Sequence, residues 1–426
     1  MITMDLDLKN KKVTVIGARR SGVAVANLVY RLHGKPKISD LGPREASKTD
    51  LEKLIMKDNM PMEWGGHSQN FIEDSDLVVL SPGVRIDAPP VQWAKGKSIP
   101  VMGEIELAWQ FCPIPIIAVT GSNGKTTTVH LISKILEKAG KRACLCGNLG
   151  YPFCEYVLDL KDKDFVILEV SSFQLESVIE FKPHIALLLN FSQNHLDRHK
   201  DIQDYFDAKK RIFLNQDKND YALLNYDDPK IKDLSKTLKA QVSFFNAPDA
   251  LEKTTIKNPN QLAAMAVAKI LGIDRSFCFQ VFKEFKGVEH RLELVRTIYE
   301  VDYINDSKST TVEAGRWALQ NIANPIVMIA GGKNKNMDFS PLRNLVKQRV
   351  KRMLVIGEAK GQLKNAFKSV VEVEESESLE LAILRAQDIA RPGDCVLLSP
   401  MCASFDMFKD FEHRGRVFKE TVMRLA

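Results

Sequence analysis

The sequence predicts three consecutive α/β domains: a Rossmann-like N-terminal domain, a central domain of the phosphate-loop (P-loop) ATPase type and a Rossmann-like C-terminal domain. Two observations lead to this fold class. A chain of 426 residues is longer than a single hydrophobic core usually organises. In each of three segments, strand-like apolar runs alternate with helical stretches, as they do in doubly wound parallel sheets. We place the three domains at residues 1–111, 112–288 and 289–426.

The first segment begins with the strand pattern KKVTVIG, a glycine turn, an apolar helical stretch and a short strand that ends at Asp40. Gly17 and Gly22 stand where a dinucleotide-binding fingerprint has its first and third glycines. Arg19 replaces the second glycine, which argues against standard NAD binding. Two alternatives stay open: the arginine contacts a phosphate, or the turn binds no ligand. A second tight turn, at residues 81–84, follows another strand at the edge where open α/β sheets bind their ligands.

The second segment contains a phosphate loop, GSNGKTTT, between the strand pattern PIPIIAVT and a helix. Gly121 and Gly124 let backbone N–H groups turn toward an anion, and the helix N-terminus adds partial positive charge. Lys125 can reach the β- and γ-phosphates, and the Thr126 hydroxyl can bind Mg²⁺. The strict motif has a glycine where this chain has Val119, so we expect a tighter turn than in the commonest ATPases of this type. The sequence therefore predicts a nucleotide site here.

Polar residues follow two further strand patterns of this segment. Glu169 ends the strand DFVILEV, where a buried carboxylate would be costly unless it binds a cation. An exposed strand-end acid is the alternative. His195 and Asp197 lie in the loop after the strand HIALLLNF, which we expect at the same edge of the sheet. Local pattern alone is equally consistent with a structural histidine, and the absence of H-E-x-x-H argues against a zinc protease.

Composition excludes several classes of protein. The net charge of +6 is spread along the chain, so we expect no nucleic-acid partner. No apolar run is long enough to cross a bilayer, and the N-terminus lacks the plan of a signal peptide. Seven cysteines without framework spacing indicate a reducing compartment, so we expect a cytoplasmic protein.

Eight motifs in the sequence resemble the Mur ligases of peptidoglycan synthesis, in order and over nearly the whole chain. They are GSNGKTTT, EVSSFQLE, NHLDRH, YFDAKKRI, HRLE, NDSKSTT, GGKNKNMDFSPL and LLSPMCASFDMFKDFEHRG. The second-segment motifs are shared with related ligases, including folylpolyglutamate synthase. The SSFQLE and C-terminal motifs are more particular to the D-glutamate-adding branch of the family.

The resemblance implies an ATP-dependent, ADP-forming amide ligase that adds D-glutamate to UDP-N-acetylmuramoyl-L-alanine through an acyl phosphate. It implies small-molecule partners. We also expect a monomeric protein and, because the implied sites are split between the second and third segments, a C-terminal domain that closes over bound ATP. Three alternatives stay open. The first is another Mur-type or folylpolyglutamate-type ligase with a different amino acid. The others are a P-loop NTPase switch without ligase activity and a nucleotide-sugar binding protein.

The resemblance also implies roles for individual residues. Uridine diphosphate contacts are Ser21, Gly22, Asp40, Ser81, Pro82 and Gly83. ATP contacts are Gly121, Ser122, Asn123, Gly124, Lys125, Thr126, Thr127, Asn260, Arg291, Asp306 and Lys308. Catalytic residues are Lys125, Asn148, His195 and Lys209, and ligands of two Mg²⁺ ions are Thr126, Glu169, His195 and Lys209. D-glutamate contacts are Thr310, Lys335, Ser404 and Phe411.

Lys209 in YFDAKKRI matches the lysine that takes up CO₂ as a carbamate in this family, with Lys210 as the alternative if the register slips by one. A carbamate turns a cation into an oxygen-bearing anion, which Mg²⁺ prefers as a ligand. Without the resemblance, a surface lysine on a helix would be the simpler interpretation.

Two positions depart from the family pattern, and one pair has a notable spacing. Ala263 stands where the family usually has a second asparagine, three residues after Asn260. The turn GARRSG is poorer in glycine than usual, which affects the individual uridine contacts. Ser404 and Phe411 are seven residues apart, so on a helix they would share one face. For Phe411 alone, core packing is the simpler role.

Overall fold

The computed structural model describes residues 6–56, 59–149, 151–192, 198–248, 256–285, 287–334 and 338–425. The chain divides into two compact units, Met1–Phe285 and Lys286–Ala426. The first unit contains two β-sheets and the second unit contains one.

The first sheet has five parallel strands in the order β3-β2-β1-β4-β5. The strands are β1 (Lys12–Ile16), β2 (Lys35–Asp40), β3 (Met62–Trp64), β4 (Leu77–Leu80) and β5 (Val101–Gly103). The helices are α1 (Arg20–Arg31), α2 (Lys48–Leu51), α3 (Gln69–Glu73), α4 (Pro89–Gly96) and α5 (Glu104–Gln110). The strand order reverses between β1 and β4, which opens a crevice at their carboxyl ends.

The second sheet has six parallel strands in the order β11-β10-β9-β6-β8-β7. The strands are β6 (Ile116–Thr120), β7 (Ala143–Gly147), β8 (Phe165–Glu169), β9 (Ile185–Leu188), β10 (Tyr221–Leu224) and β11 (Gln241–Phe244). The helices are α6 (Lys125–Lys138), α7 (Phe153–Tyr156), α8 (Ser172–Leu175), α9 (Ile202–Lys210), α10 (Pro229–Asp233), α11 (Pro259–Ile270) and α12 (Arg275–Glu284). β6 and β9 are buried along their whole length, because helices cover both faces of a parallel sheet.

The third sheet has six strands in the order β12-β13-β17-β14-β15-β16. The strands are β12 (Glu293–Ile298), β13 (Val301–Asn305), β14 (Ile326–Gly331), β15 (Val350–Ile356), β16 (Val373–Glu375) and β17 (Cys395–Leu398). The helices are α13 (Val312–Asn321), α14 (Arg343–Arg349), α15 (Lys360–Phe367), α16 (Leu379–Ile389) and α17 (Phe411–Arg424). β12 pairs antiparallel with β13, and the other strand pairs are parallel.

Three successive α/β sheets confirm the predicted fold class, whereas the exact domain boundaries stay predictions. Functional loops are expected where parallel strands end, because that edge of the sheet carries the turns into the helices. Within the part of the chain that the structure describes, no helix is both long enough and apolar enough to cross a membrane.

Candidate active site

The phosphate loop connects β6 to α6 and brings together the contacts predicted for the nucleotide phosphates. They are Gly121, Ser122, Asn123, Gly124, Lys125, Thr126, Thr127 and Asn260. Gly124 precedes the first turn of α6 with a φ of +81°, a conformation that L-residues with a Cβ rarely adopt. A Cβ at this position would lie 2.3 Å from Oδ1 of Asn260, which stands in the first turn of α11. The loop backbone therefore depends on glycine at residue 124.

Asn190, just beyond the end of β9, holds the phosphate loop in place. Its Oδ1 accepts a hydrogen bond from the Asn123 N–H at 2.8 Å, and its Nδ2 donates to the Asn123 carbonyl at 3.0 Å. The Ser122 hydroxyl also donates to the carbonyl of Ser192 at 3.0 Å. Sequence reasoning did not identify Asn190, although a polar side chain directly after a buried strand was a usable signal.

Two lysines meet at one carbonyl of the loop. Lys125 Nζ donates to the Gly121 carbonyl at 2.8 Å and to the Ser122 carbonyl at 3.3 Å. Lys209 Nζ, from the end of α9, donates to the same Gly121 carbonyl at 3.0 Å. Lys209 is only 1% exposed, whereas Lys210 is exposed and pairs with Asp207 at 2.5 Å. The structure thus places the first of the two lysines beside the phosphate loop.

The pKa of Lys209 lies well below its usual value. The main cause is burial, which disfavours the charged amine, and the positive charge of Lys125 acts in the same direction. The carboxylate of Glu169 opposes the shift. Lys209 therefore offers a neutral, nucleophilic amine at lower pH than an exposed lysine would.

Glu169 is the last residue of β8. It is 1% exposed, and the Nδ2 of Asn148 donates to its Oε1 at 2.9 Å. The Asn148 N–H also donates to the Glu169 main-chain carbonyl at 2.9 Å, so the two residues keep a fixed geometry. Of the two interpretations of Glu169, the structure excludes the exposed acid. Glu169 pairs with Val119 of β6, the strand that leads into the phosphate loop, and its buried carboxylate offers hard oxygen donors that fit Mg²⁺.

The predicted uridine diphosphate residues gather at the carboxyl edge of the first sheet, where β1 and β4 end. The Ser81 hydroxyl donates to the Gly17 carbonyl at 2.9 Å. Asp40 accepts hydrogen bonds from the N–H groups of Ala18 at 2.6 Å and Gly42 at 2.7 Å. A Cβ on Gly22 would lie 1.8 Å from the Gly17 carbonyl oxygen, so only glycine fits there. Ser21 lies in the first turn of α1, and Pro82 and Gly83 follow Ser81.

Arg198 connects the turn after β4, at residues 81–84, to Glu176 at the end of α8. Its guanidinium donates to the carbonyls of Gly83 at 3.0 Å and Val84 at 2.9 Å, and to Oε2 of Glu176 at 2.7 Å. Both charged side chains are largely buried. The arginine belongs to the NHLDRH motif, but sequence reasoning assigned it no role. Its hydrogen bonds to Gly83 and Val84 join residues more than a hundred positions apart, so local sequence pattern does not reveal them.

In the second unit, Asp306 follows β13 and is buried. The Ser399 hydroxyl donates to its Oδ2 at 3.0 Å, and the Leu292 N–H donates to its Oδ1 at 3.3 Å. Burial raises the pKa of Asp306 to about 7, and the nearby charge of Arg291 opposes this shift. Lys308 and Thr310 follow in the same loop, and Lys308 Nζ lies 5.4 Å from the centre of the Phe411 ring.

The expectation that Ser404 and Phe411 share a helix face is wrong. Ser404 is buried in a turn, and its carbonyl accepts a hydrogen bond from the Phe408 N–H at 2.8 Å. The helix α17 begins only at Phe411, because the Asp410 side chain caps it by accepting from the His413 N–H at 2.7 Å. Phe411 is half-buried, and its ring meets the ring of His290 edge-on.

Three predicted or candidate residues, His195, Asp197 and Lys335, lie outside the described residues. Ala263, at the position of the expected second asparagine, lies on α11 and is buried in the core.

Comparisons with known proteins cover the whole chain. The model for the MurD-like N-terminal domain of Mur ligases matches residues 11–103. The Mur ligase middle domain matches residues 119–274, and the glutamate ligase domain of Mur ligases matches residues 290–402. A UDP-N-acetylmuramoylalanine–D-glutamate ligase of Koribacter versatilis is 38% identical over 450 residues, covering 99% of this chain and 99% of that protein. The chain belongs to the Mur ligase family.

This Mur ligase is also 39% identical to a protein of the same name from Pelotomaculum thermopropionicum, over 98% of this chain and 99% of that protein. Among solved structures, the UDP-N-acetylmuramate-alanine ligase MurC of Thermotoga maritima matches with a TM-score of 0.60 and 18% identity. The match covers 97% of this chain and 99% of that one. At this identity the likeness concerns the fold alone. The predicted family is confirmed.

Proposed function

We propose that this Mur ligase uses ATP to join the amino group of D-glutamate to the carboxylate of UDP-N-acetylmuramoyl-L-alanine, as a step of peptidoglycan precursor synthesis. Full-length similarity to proteins named as ligases of these substrates carries the choice of substrates. The geometry supports the reaction class, because a buried lysine and a buried carboxylate lie beside a phosphate loop. A nucleotide switch would need the loop alone.

The first step makes the carboxylate reactive. A carboxylate oxygen attacks the γ-phosphorus of ATP, so that an acyl phosphate forms and ADP leaves. This step needs positioning and charge neutralisation more than covalent help. Backbone N–H groups of the loop and the Lys125 ammonium, which donates to loop carbonyls in this structure, would bind the phosphate oxygens.

The second step forms the amide. The neutral amine of D-glutamate attacks the acyl carbon, a C–N bond forms, phosphate leaves with the bonding electron pair, and the amine nitrogen loses one proton to solvent. Water must be excluded, because it would hydrolyse the acyl phosphate. The residues proposed to hold the amino acid are Thr310, Lys335, Ser404 and Phe411. A cation combined with hydroxyl donors suits a dicarboxylate.

Magnesium would be held by Thr126, Glu169, His195 and modified Lys209, in two sites. The ions would neutralise phosphate charge during transfer. The buried Glu169 carboxylate and the Thr126 hydroxyl are donors of the kind that Mg²⁺ prefers. Asn148 keeps Glu169 oriented through its 2.9 Å hydrogen bond.

Lys209 is proposed to carry the carbamate. Its neutral Nζ would attack CO₂, forming an N–C bond and losing one proton to solvent. Burial and the lowered pKa favour the neutral amine that this reaction needs. Lys210, by contrast, is exposed and pairs with Asp207.

The remaining assignments complete the proposal. Residues 1–111 would bind the uridine diphosphate end, residues 112–288 would bind ATP, and residues 289–426 would bind the amino acid. Arg291, Asp306 and Lys308 would contribute nucleotide contacts from the last of these domains, and Asn260 from the central domain. The protein would act as a monomer in the cytoplasm.

A coupled assay of ADP release tests the function. The enzyme is given ATP, Mg²⁺ and UDP-N-acetylmuramoyl-L-alanine, with D-glutamate, L-glutamate or another amino acid as acceptor. We expect turnover that depends on D-glutamate. Turnover only with another amino acid would favour a different ligase of the family. ADP release that needs no amino acid would favour a nucleotide switch, and no ADP release at all would favour a nucleotide-sugar binding protein.

A further inference from the structure

Arg414 lies in the first turn of α17, and its side chain is the largest of those that are fully buried in the described part of the chain. Its exposed fraction is 0%. Arginine is rarely buried completely, because its charge loses the solvation of water. A fully buried guanidinium is therefore expected to donate its N–H groups to acceptors in the protein.

The guanidinium donates to three loops. Nε donates to the Ser307 hydroxyl at 3.0 Å, and Nη2 donates to the Ser307 carbonyl at 2.9 Å. Both Nη1 and Nη2 donate to the Cys402 carbonyl at 3.2 Å. Nη1 also donates to the Gly331 carbonyl at 3.4 Å. Ser307 and Cys402 lie in the loops after β13 and β17, and Gly331 is the last residue of β14, where the third loop begins; the three strands are neighbours in the third sheet.

The same three loops carry residues proposed to bind ligands. The loop after β13 contains Asp306, Lys308 and Thr310. Ser404 stands two residues after Cys402, and Lys335 stands four residues after Gly331. One rigid group thus contacts the two described loops to which Thr310 and Ser404 belong, and the end of the strand that precedes Lys335 in the sequence.

The contacts favour a geometric role over simple stabilisation. All five hydrogen bonds go to neutral oxygen atoms, while Asp306 and Asp406 act on the charge only through space. Burial lowers the pKa of Arg414 to about 10, so the group stays charged at neutral pH. Buried charges are weak contributors to stability, but the planar fork of arginine fixes the spacing of its acceptors.

We propose that Arg414 is a positioning residue that sets the spacing of the three loops and thereby the affinity for the amino-acid dicarboxylate. The inference rests on the proposed function for the identity of the ligand. It assigns Arg414 no contact with substrate.

The test compares Arg414→Lys with Val422→Ala. Lysine keeps the charge, but its single nitrogen cannot span three loops as the guanidinium does. Val422 lies two turns further along α17, is fully buried in the core, and serves as a matched loss of packing. We expect Arg414→Lys to raise the KM for D-glutamate at least tenfold, with the KM for UDP-N-acetylmuramoyl-L-alanine within twofold of wild type. Val422→Ala should leave both KM values within twofold.

An unchanged KM for D-glutamate in Arg414→Lys, or an equal rise in Val422→Ala, would overturn the proposal. Ser307→Ala removes only the hydroxyl contact, so it should raise the same KM by a smaller factor if Arg414→Lys does not fold. Amide hydrogen exchange separates this inference from the proposed function. We expect Arg414→Lys to speed exchange in residues 305–310, 331–334 and 400–405 even if the wild type shows no D-glutamate-dependent turnover; unchanged exchange in all three loops counts against the inference.

Discussion

Lys125 and Lys209 donate to the same acceptor, the carbonyl oxygen of Gly121, at 2.8 Å and 3.0 Å. Lys209 is the more buried of the two, and the positive charge of Lys125 disfavours the charged form of Lys209. The proton is therefore easier to remove from Lys209, whose pKa is lowered by burial and by Lys125.

Lys209→Ala should reduce D-glutamate-dependent ADP release by at least a hundredfold, because the proposed carbamate oxygens are lost. Short-chain carboxylic acids should restore part of the activity by supplying carboxylate oxygens in the space left by the side chain. Lys210→Ala is the matched control and should keep activity within about twofold, since that lysine is exposed. Full activity of the Lys209→Ala variant would remove this lysine from the site.

Gly124→Ala should weaken ATP binding at least tenfold. The new Cβ would lie 2.3 Å from Asn260 Oδ1, so the asparagine must move, and the φ of +81° adds backbone strain of about 1 kcal/mol. Gly140→Ala is the control, because Gly140 has a φ of +73° but no atom within 4 Å of an added Cβ. Titration calorimetry with a non-hydrolysable ATP analogue gives the two affinities. Equal affinities in both variants would contradict the role of the Asn260 contact.

Arg198→Ala should lower the free energy of unfolding by about 3 kcal/mol, because the largely buried Glu176 loses the arginine that donates to its Oε2. It should also raise the KM for UDP-N-acetylmuramoyl-L-alanine, since the carbonyls of Gly83 and Val84 lose their donors. Arg142→Ala removes an exposed pair with Asp164 and should cost less than about 1 kcal/mol. Urea unfolding and steady-state kinetics measure both effects. A loss as small as that of the control would show that the Arg198 contacts contribute little.

Asp306→Asn should change how stability depends on pH. The carboxyl has a folded pKa of about 7, above its unfolded value near 4. The stability that it contributes is present below pH 4 and is lost as the pH rises toward 7. The asparagine of the variant does not titrate, so the variant has no such loss. As the pH rises across that range, the free energy of unfolding of the variant minus that of wild type should increase by up to about 1.4 kcal/mol per pH unit.

Urea unfolding between pH 4 and pH 8 measures the difference. Asp338→Asn is the control: the hydrogen bond from Ser340 lowers the pKa of that exposed carboxyl, so its titration lies below this range and the variant should differ from wild type by a constant amount. A constant difference between Asp306→Asn and wild type over the whole range would show that the folded pKa is ordinary.

Much of the fold and part of the site could be predicted from the sequence. The strand–turn–helix pattern around Gly121 and Gly124 predicted the phosphate loop, because left-handed backbone and exposed N–H groups are local requirements. Neither the antiparallel pairing of β12 nor the turn that holds Ser404 could be predicted in this way. Both depend on where the chain finds hydrogen-bond partners. β12 pairs with β13, and the Asp410 side chain caps α17, so that the helix begins only at Phe411 and Ser404 stays in the preceding turn.

The sequence by itself determined the family, the three α/β layers and the position of the phosphate loop, because motifs and hydrophobic periodicity are properties of neighbouring residues. Only the tertiary structure decided that Lys209 rather than Lys210 faces Gly121, and that Arg198 and Arg414 each join loops that are distant in the chain. The physical reason is that burial and hydrogen-bond partners follow from strand order and helix orientation. These bring atoms of residues 83 or more positions apart within 3.4 Å of one another.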